Sequence, residues 1–108
     1  MVKYQKVDLD RLIYAISDST RRGMIDELVR GERSVGELSE PFKISSPAIS
    51  KHIRVLHETG LIKTRRSGRQ IICTLEPDSL MRIETWMAKY QRFWSEKLHD
   101  LEKQIKGH

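Results

Sequence analysis

Residues 45–62 read "SSPAISKHIRVLHETGLI", and the fold turns on how this run is interpreted. Ile49, Ile53 and Leu56 recur at i, i+4 and i+7, which gives a helix here one apolar edge. Ser46 stands as an N-cap before Pro47, a proline in the first turn, where its missing N–H removes no helical bond. Gly60 closes the run. Away from the apolar edge lie Ser45, Ser46, Ser50, Lys51, His52 and Arg54. A helix built only to plug a core has no use for so many short hydrogen-bonding groups and cations. A helix whose first turns touch something polar and charged does.

Upstream, "SVGEL" sets Ser34 and Glu37 at the spacing of a capping box, in which each side chain satisfies the other's backbone donor. A short helix from Val35 to about Glu40 follows, ending near Pro41, and "FKISS" forms a turn. Residues 34–60 are therefore expected to form helix, tight turn, helix. Earlier still, Asp18 or Ser19 caps a helix with Met24, Ile25, Leu28 and Val29 as its stripe and Gly31 as its stop. Leu9, Leu12, Ile13 and Ile16 mark another helix over residues 8–17.

Downstream the period changes. In "LIKTRRSGRQIICTLE", residues 61–76, apolar and β-branched residues alternate with basic ones on either side of Ser67-Gly68, a hairpin signal. Its tip, with Arg65, Arg66 and Arg69, is too basic to be hidden. From Asp78 as N-cap, one long helix runs to about Lys106 with Leu80, Ile83, Met87, Tyr90, Trp94, Leu98, Leu101 and Ile105 as its apolar positions. Trp86 and Phe93 lie beside that stripe. The expected fold is mainly α with a small β-hairpin: a winged helix-turn-helix of about five helices plus a two-stranded wing, forming one domain over residues 1–108.

Composition narrows the function. With 38% hydrophobic and 32% charged residues, the chain can bury a modest core and is not disordered. No apolar run approaches the ~20 residues of a membrane span, and the start lacks the apolar centre of a secretory signal. Cys73, the single cysteine, cannot form an internal disulfide. This fits a reducing interior, so a cytoplasmic location is expected. Charge is the sharper clue. Between Lys43 and Gln70 stand seven basic residues and one acid, while the rest of the chain holds 13 basic and 14 acidic residues. The excess positive charge of +5 is thus concentrated in a quarter of the sequence, the mark of a surface that faces a polyanion.

Duplex DNA suits these features. Its major groove, about 12 Å wide, admits one α-helix, and residues near that helix's N-terminus reach base edges while the preceding helix crosses the backbone. The candidate DNA-binding residues are Ser45, Ser46, Pro47, Ser50, Lys51, His52 and Arg54 on the helix, with Lys63, Arg65, Arg66 and Arg69 on the wing. N–H groups of the helix's first turn are further candidates for phosphate. A winged-helix module that grips an acidic protein or RNA is the alternative reading. No nucleophile elbow, phosphate loop or Ser/His/Asp order supports an enzyme, and no cofactor is expected.

"SVGELSEPFKISSPAISKHIRVLHETGLIKTRRSGRQIICTL", preceded by "AISDSTRRGMIDEL", resembles the ArsR (SmtB) family of bacterial and archaeal transcriptional repressors. The likeness spans roughly residues 8–106. It implies a homodimer that binds a palindromic operator and leaves it when an inducer, often a metal ion, binds. It also places Ser46, Pro47, Ser50, Lys51 and His52 on the recognition helix and Arg65 to Arg69 on the wing. The metal-site patterns of such proteins are incomplete here. Ser34 and Gly36 stand where some members have Cys-x-Cys, and neither is a soft-metal ligand. His99 and Glu102 match half of a last-helix site, but Trp86 and Ala88 occupy the other half. A zinc site needs three or four ligands, so no metal is expected and the inducer is left open.

The aromatic content of the last helix exceeds what so small a domain can cover. The helices at 8–17 and 78–106 are therefore expected to form a dimer interface, through Leu9, Leu12, Ile13, Ile83, Trp86, Met87, Tyr90, Phe93, Trp94, Leu98 and Leu101.

Overall fold

A computed structural model describes residues 3–107, with side chains described from Leu9 onward. Eight elements follow in order: α1 (Lys3–Ala15), α2 (Ser19–Val29), β1 (Arg33–Ser34), α3 (Val35–Ser39), α4 (Ser46–Glu58), β2 (Ile62–Ser67), β3 (Gln70–Leu75) and α5 (Pro77–Lys106). The winged helix-turn-helix is present. The wing is larger than expected, because Arg33 and Ser34 pair antiparallel with Cys73 and Ile72, giving a three-stranded sheet ordered β1-β3-β2. Two residues are too short a run to show alternation.

Several expected boundaries move by a residue or two, each for a local reason. Asp18 caps α2, its carboxylate accepting the Arg21 N–H at 3.0 Å. Ser45 rather than Ser46 caps α4, accepting the Ala48 N–H at 3.2 Å, so Ser46 is the first helical residue and Pro47 the second. Glu76, not Asp78, is the N-cap of α5, and Pro77 opens the helix; Asp78 lies in the first turn, where the helix dipole favours an anion. The hairpin turn is Gly68-Arg69, since Ser67 pairs with Gln70. Gly68 has φ 63° while Arg69 has no positive φ, the pattern of a type II′ turn with glycine at its first central position. The first helix runs to Ala15 rather than residue 17. The Ser34–Glu37 capping box forms as expected, with bonds of 3.1 and 2.9 Å.

The core joins Leu12 and Ala15 of α1 to Met24, Ile25 and Leu28 of α2 and Leu38 of α3. Ile49, Ile53 and Leu56 of α4, Leu61 and Ile62, and Cys73 complete it. Val29, expected in the stripe of α2, instead points outward at 67% exposure. Within α2, Gly23 has a packing reason: a Cβ there would meet the Phe42 ring at 2.8 Å. Phe42 can therefore lie against α2 and pull the turn before α4 onto the domain. Cys73 is fully buried, and desolvation pushes its thiol above the usual range, so it behaves as a small hydrophobe.

Candidate nucleic-acid interface

Packing of α4 on its apolar edge decides what its other side shows. Because Ile49, Ile53 and Leu56 are buried, Ser46, Pro47, Ser50, Lys51 and Arg54 are all exposed. Ser46, Ser50 and Arg54 follow one another at i+4, with Pro47 and Lys51 in the adjoining row, so the five share one face. Neither Lys51 nor Arg54 has a hydrogen-bond or ion-pair partner among the described residues, and both ammonium and guanidinium are available to an outside anion. The backbone contribution is smaller than the sequence suggests. Ser45 already occupies the Ala48 N–H and Pro47 has none, which leaves only the Ser45 and Ser46 N–H groups at the front of the helix.

Strand alternation sorts the cations of the wing. Ile62, Thr64 and Arg66 lie on the face of β2 that meets the core at its base; Lys63 and Arg65 lie on the other. On that second face Lys63 pairs with Glu76 at 3.2 Å, and Arg65 reaches both carboxylate oxygens of Glu32 at 3.1 and 3.4 Å. Arg66 and Arg69, at the tip, have no partner among the described residues. The eleven candidate residues thus divide into groups with different availability. Lys51, Arg54, Arg66 and Arg69 are uncommitted cations, while Lys63 and Arg65 are exposed but paired.

His52 lies half-buried beneath this surface. Its Nδ1 meets Nη1 of Arg21 at 3.1 Å and stands 3.8 Å from the Asp18 carboxylate. The Arg21 N–H bond holds the Asp18 carboxyl below its usual range, and the Arg21 guanidinium acts in the same direction against partial desolvation. Arg21, within the stretch "AISDSTRRGMIDEL", is only 7% exposed although charged. A signal was present: Arg21 precedes Met24, Ile25 and Leu28 at helical spacing on the buried side of α2.

The expected interface residues of α1 and α5 also separate. Leu12 is buried in the chain's own core, so it has no surface left for a partner. Leu9, Ile13, Ile83, Trp86 and Met87 are half-buried, and Trp86 stacks edge-on against Tyr90 at 5.5 Å between ring centroids. Tyr90, Phe93, Trp94, Leu98 and Leu101 are open to solvent at 44–64% exposure. On α5, His99 is exposed and Glu102 pairs with Lys106 rather than with His99. Among the described residues no three His, Cys, Asp or Glu side chains converge as a metal ion requires, and Ser34 is occupied by its capping box.

Residues 18–64 match the family described as "Bacterial regulatory protein, arsR family". The HTH-type transcriptional regulator Rv2034 of Mycobacterium tuberculosis is 35% identical over 89 residues, 82% of this chain and 80% of that protein. The transcriptional repressor SdpR of Bacillus subtilis is 34% identical over 82 residues, 76% of this chain and 91% of that one. Among solved structures, an ArsR family transcriptional regulator superposes with a TM-score of 0.75 at 34% identity, over 83% of this chain and 93% of that chain. The repressor BigR of Xylella fastidiosa does so with a TM-score of 0.62 at 29% identity, over 82% and 92%. No described helix is long and apolar enough to cross a membrane. A basic face built on α4 and the wing, on a fold shared with these proteins, gives the conclusion: the chain belongs to the ArsR family and is a DNA-binding transcriptional regulator, not an enzyme.

Proposed function

We propose that the chain acts as a homodimeric repressor that binds a palindromic operator in the cytoplasm, with α4 in the major groove and the wing against the adjoining backbone or minor groove. The observation that carries this reading is the division of α4: three apolar residues fix it to the core, and the opposite face presents Ser50, Lys51 and Arg54 uncommitted. Short hydroxyls suit base edges and phosphates, and the cations supply counterion release. Arg66 and Arg69 extend the basic surface beyond the helix.

The exposed stripe of α5 supports the dimer. This helix has 30 residues, about 45 Å at 1.5 Å per residue, and none of them is fully buried. A stripe that leaves Phe93, Trp94, Leu98, Leu101 and Ile105 each about half exposed or more is unfavourable for a free monomer. α1 packs against α5, so a second copy laid along α5 would join the two domains around a two-fold axis. Such a pair can present two α4 helices about 34 Å apart, the spacing of successive major grooves on one side of DNA. The chain then serves as one domain, with α1 and α5 for assembly, residues 34–60 for reading and 61–76 for gripping. Names of relatives support repression, SdpR and BigR both being repressors.

Selection of bound fragments from random duplex DNA tests this. An inverted repeat with half-site centres about 10 base pairs apart is expected. Enrichment of no sequence, or of a single unsymmetrical site, would contradict the proposal.

A further inference from the structure

Arg21 occupies a position that disfavours it twice over. It is 7% exposed although charged, and it stands in the first turn of α2, where the helix dipole repels a cation. An apolar side chain of similar volume would fill the space without either penalty. The guanidinium instead reaches in three directions: Nε donates to the Ala15 carbonyl at 2.8 Å, Nη2 to the Tyr14 carbonyl at 3.2 Å, and Nη1 meets His52 Nδ1 at 3.1 Å. The Tyr14 ring also lies under it, 5.2 Å from centroid to Cζ. Tyr14 and Ala15 end α1, where carbonyls lose their helical partners; the Tyr14 carbonyl also accepts the Ser17 N–H at 3.1 Å and the Ser17 hydroxyl at 2.6 Å. Arg21 thus closes α1 and fastens it to α4. A second tie acts at the far end of α4, where Arg11 of α1 donates to the Glu58 carbonyl at 3.3 Å.

The contact with His52 has a chemical consequence. A guanidinium offers donors only, so a ring nitrogen facing it must accept. Where the guanidinium donates to Nδ1, that nitrogen carries no hydrogen and Nε2 does. The Asp18 carboxylate, 3.8 Å from Nδ1, would draw a proton to that nitrogen, but Arg21 is nearer, and the same carboxylate oxygen already takes the Arg21 backbone N–H at 3.0 Å. Among the described residues no side-chain nitrogen or oxygen is both buried and unpartnered. Nε2 has no partner among the described residues, so it reaches solvent, and the side chain retains 19% exposure.

We propose that Arg21 is a positioning residue for DNA binding, holding His52 in the Nε2–H tautomer so that this hydrogen is offered to a phosphate oxygen beside α4. The proposal rests on the reading of α4 as the DNA-contacting helix. A neutral donor differs from Lys51 and Arg54 in a measurable way: it adds affinity but displaces no counterion, so it leaves the salt dependence unchanged.

The test uses the full chain and the duplex enriched from random DNA. His52→Asn retains an acceptor for Arg21 but cannot reach as far as Nε2; His52→Gln places an amide N–H near that atom. His52→Asn should weaken binding by about tenfold per half-site with an unaltered salt slope, and His52→Gln should bind close to the original. Long-range ¹H–¹⁵N imidazole spectra should show the Nε2–H tautomer in the original protein and a mixture in Arg21→Met. Full affinity in His52→Asn, a shallower salt slope in that variant, or an Nδ1–H ring in the original protein would each overturn the proposal. The His52 variants and the spectrum of the original protein decide the matter even if Arg21→Met does not fold. Loss of binding in Lys51→Ala/Arg54→Ala alongside full affinity in His52→Asn would remove this proposal alone. Full affinity in both would remove the reading of α4 itself.

Discussion

Replacing Lys51 and Arg54 together with alanine separates electrostatic contact from folding. Both side chains are exposed on α4 and lack partners among the described residues, and alanine favours the helix, so thermal stability should be unchanged. If each cation meets one phosphate, a dimer loses about four contacts, and the slope of log K against log salt becomes shallower by about 3.6. At ~0.1 M salt each contact contributes roughly eightfold, so the double variant should bind about 10³–10⁴-fold more weakly. Arg65→Ala provides the contrast. Arg65 must first leave Glu32, an exposed pair whose competition offsets its contribution by up to about fivefold. Fluorescence anisotropy titrations across a salt series measure both quantities. A double variant with unchanged affinity and an unchanged slope would refute the assignment of α4 as the DNA-contacting helix.

Three further outcomes follow from the same geometry. Leu56→Ala, at a fully buried site, should lower the unfolding free energy by about 2–5 kcal/mol in urea titrations; a loss below about 1 kcal/mol would mean that the core is packed differently. Asp18→Ala should lower stability by about 1 kcal/mol through loss of the α2 cap. The folded Asp18 carboxyl lies below its ordinary value near 3.8, so its stabilisation is complete above that value and fades as pH falls through the lower folded value. The gap between Asp18→Ala and the original protein should therefore hold from pH ~7 to pH ~5 and narrow below pH ~3.8, and a gap that widens on acidification would contradict this. Leu98→Glu/Leu101→Glu, at sites more than half exposed, should leave each domain folded but separate the protomers in sedimentation velocity; an unchanged sedimentation coefficient would place the interface elsewhere.

The helix-turn-helix was legible because its signals are local. The capping box at Ser34, the apolar edge of α4 and the change of period after Gly60 all lie within a few residues of what they specify. Ser45 and Ser46 are equally good caps, and only the backbone of the preceding turn chooses between them. β1 was not legible, since its two residues become a strand only through pairing with Cys73 and Ile72, some forty positions away. The pairing of Arg65 with Glu32 and of Lys63 with Glu76 was hidden for the same reason. Leu12 and Leu9 carry the same periodic signal, and only packing shows that Leu12 belongs to the core while Leu9 remains half open.

The mass of the complex formed with the selected duplex tests the central claim most directly. Two chains on one duplex, with both symmetric half-sites protected, is the predicted result. One chain per duplex, or no complex even at low ionic strength, would contradict it.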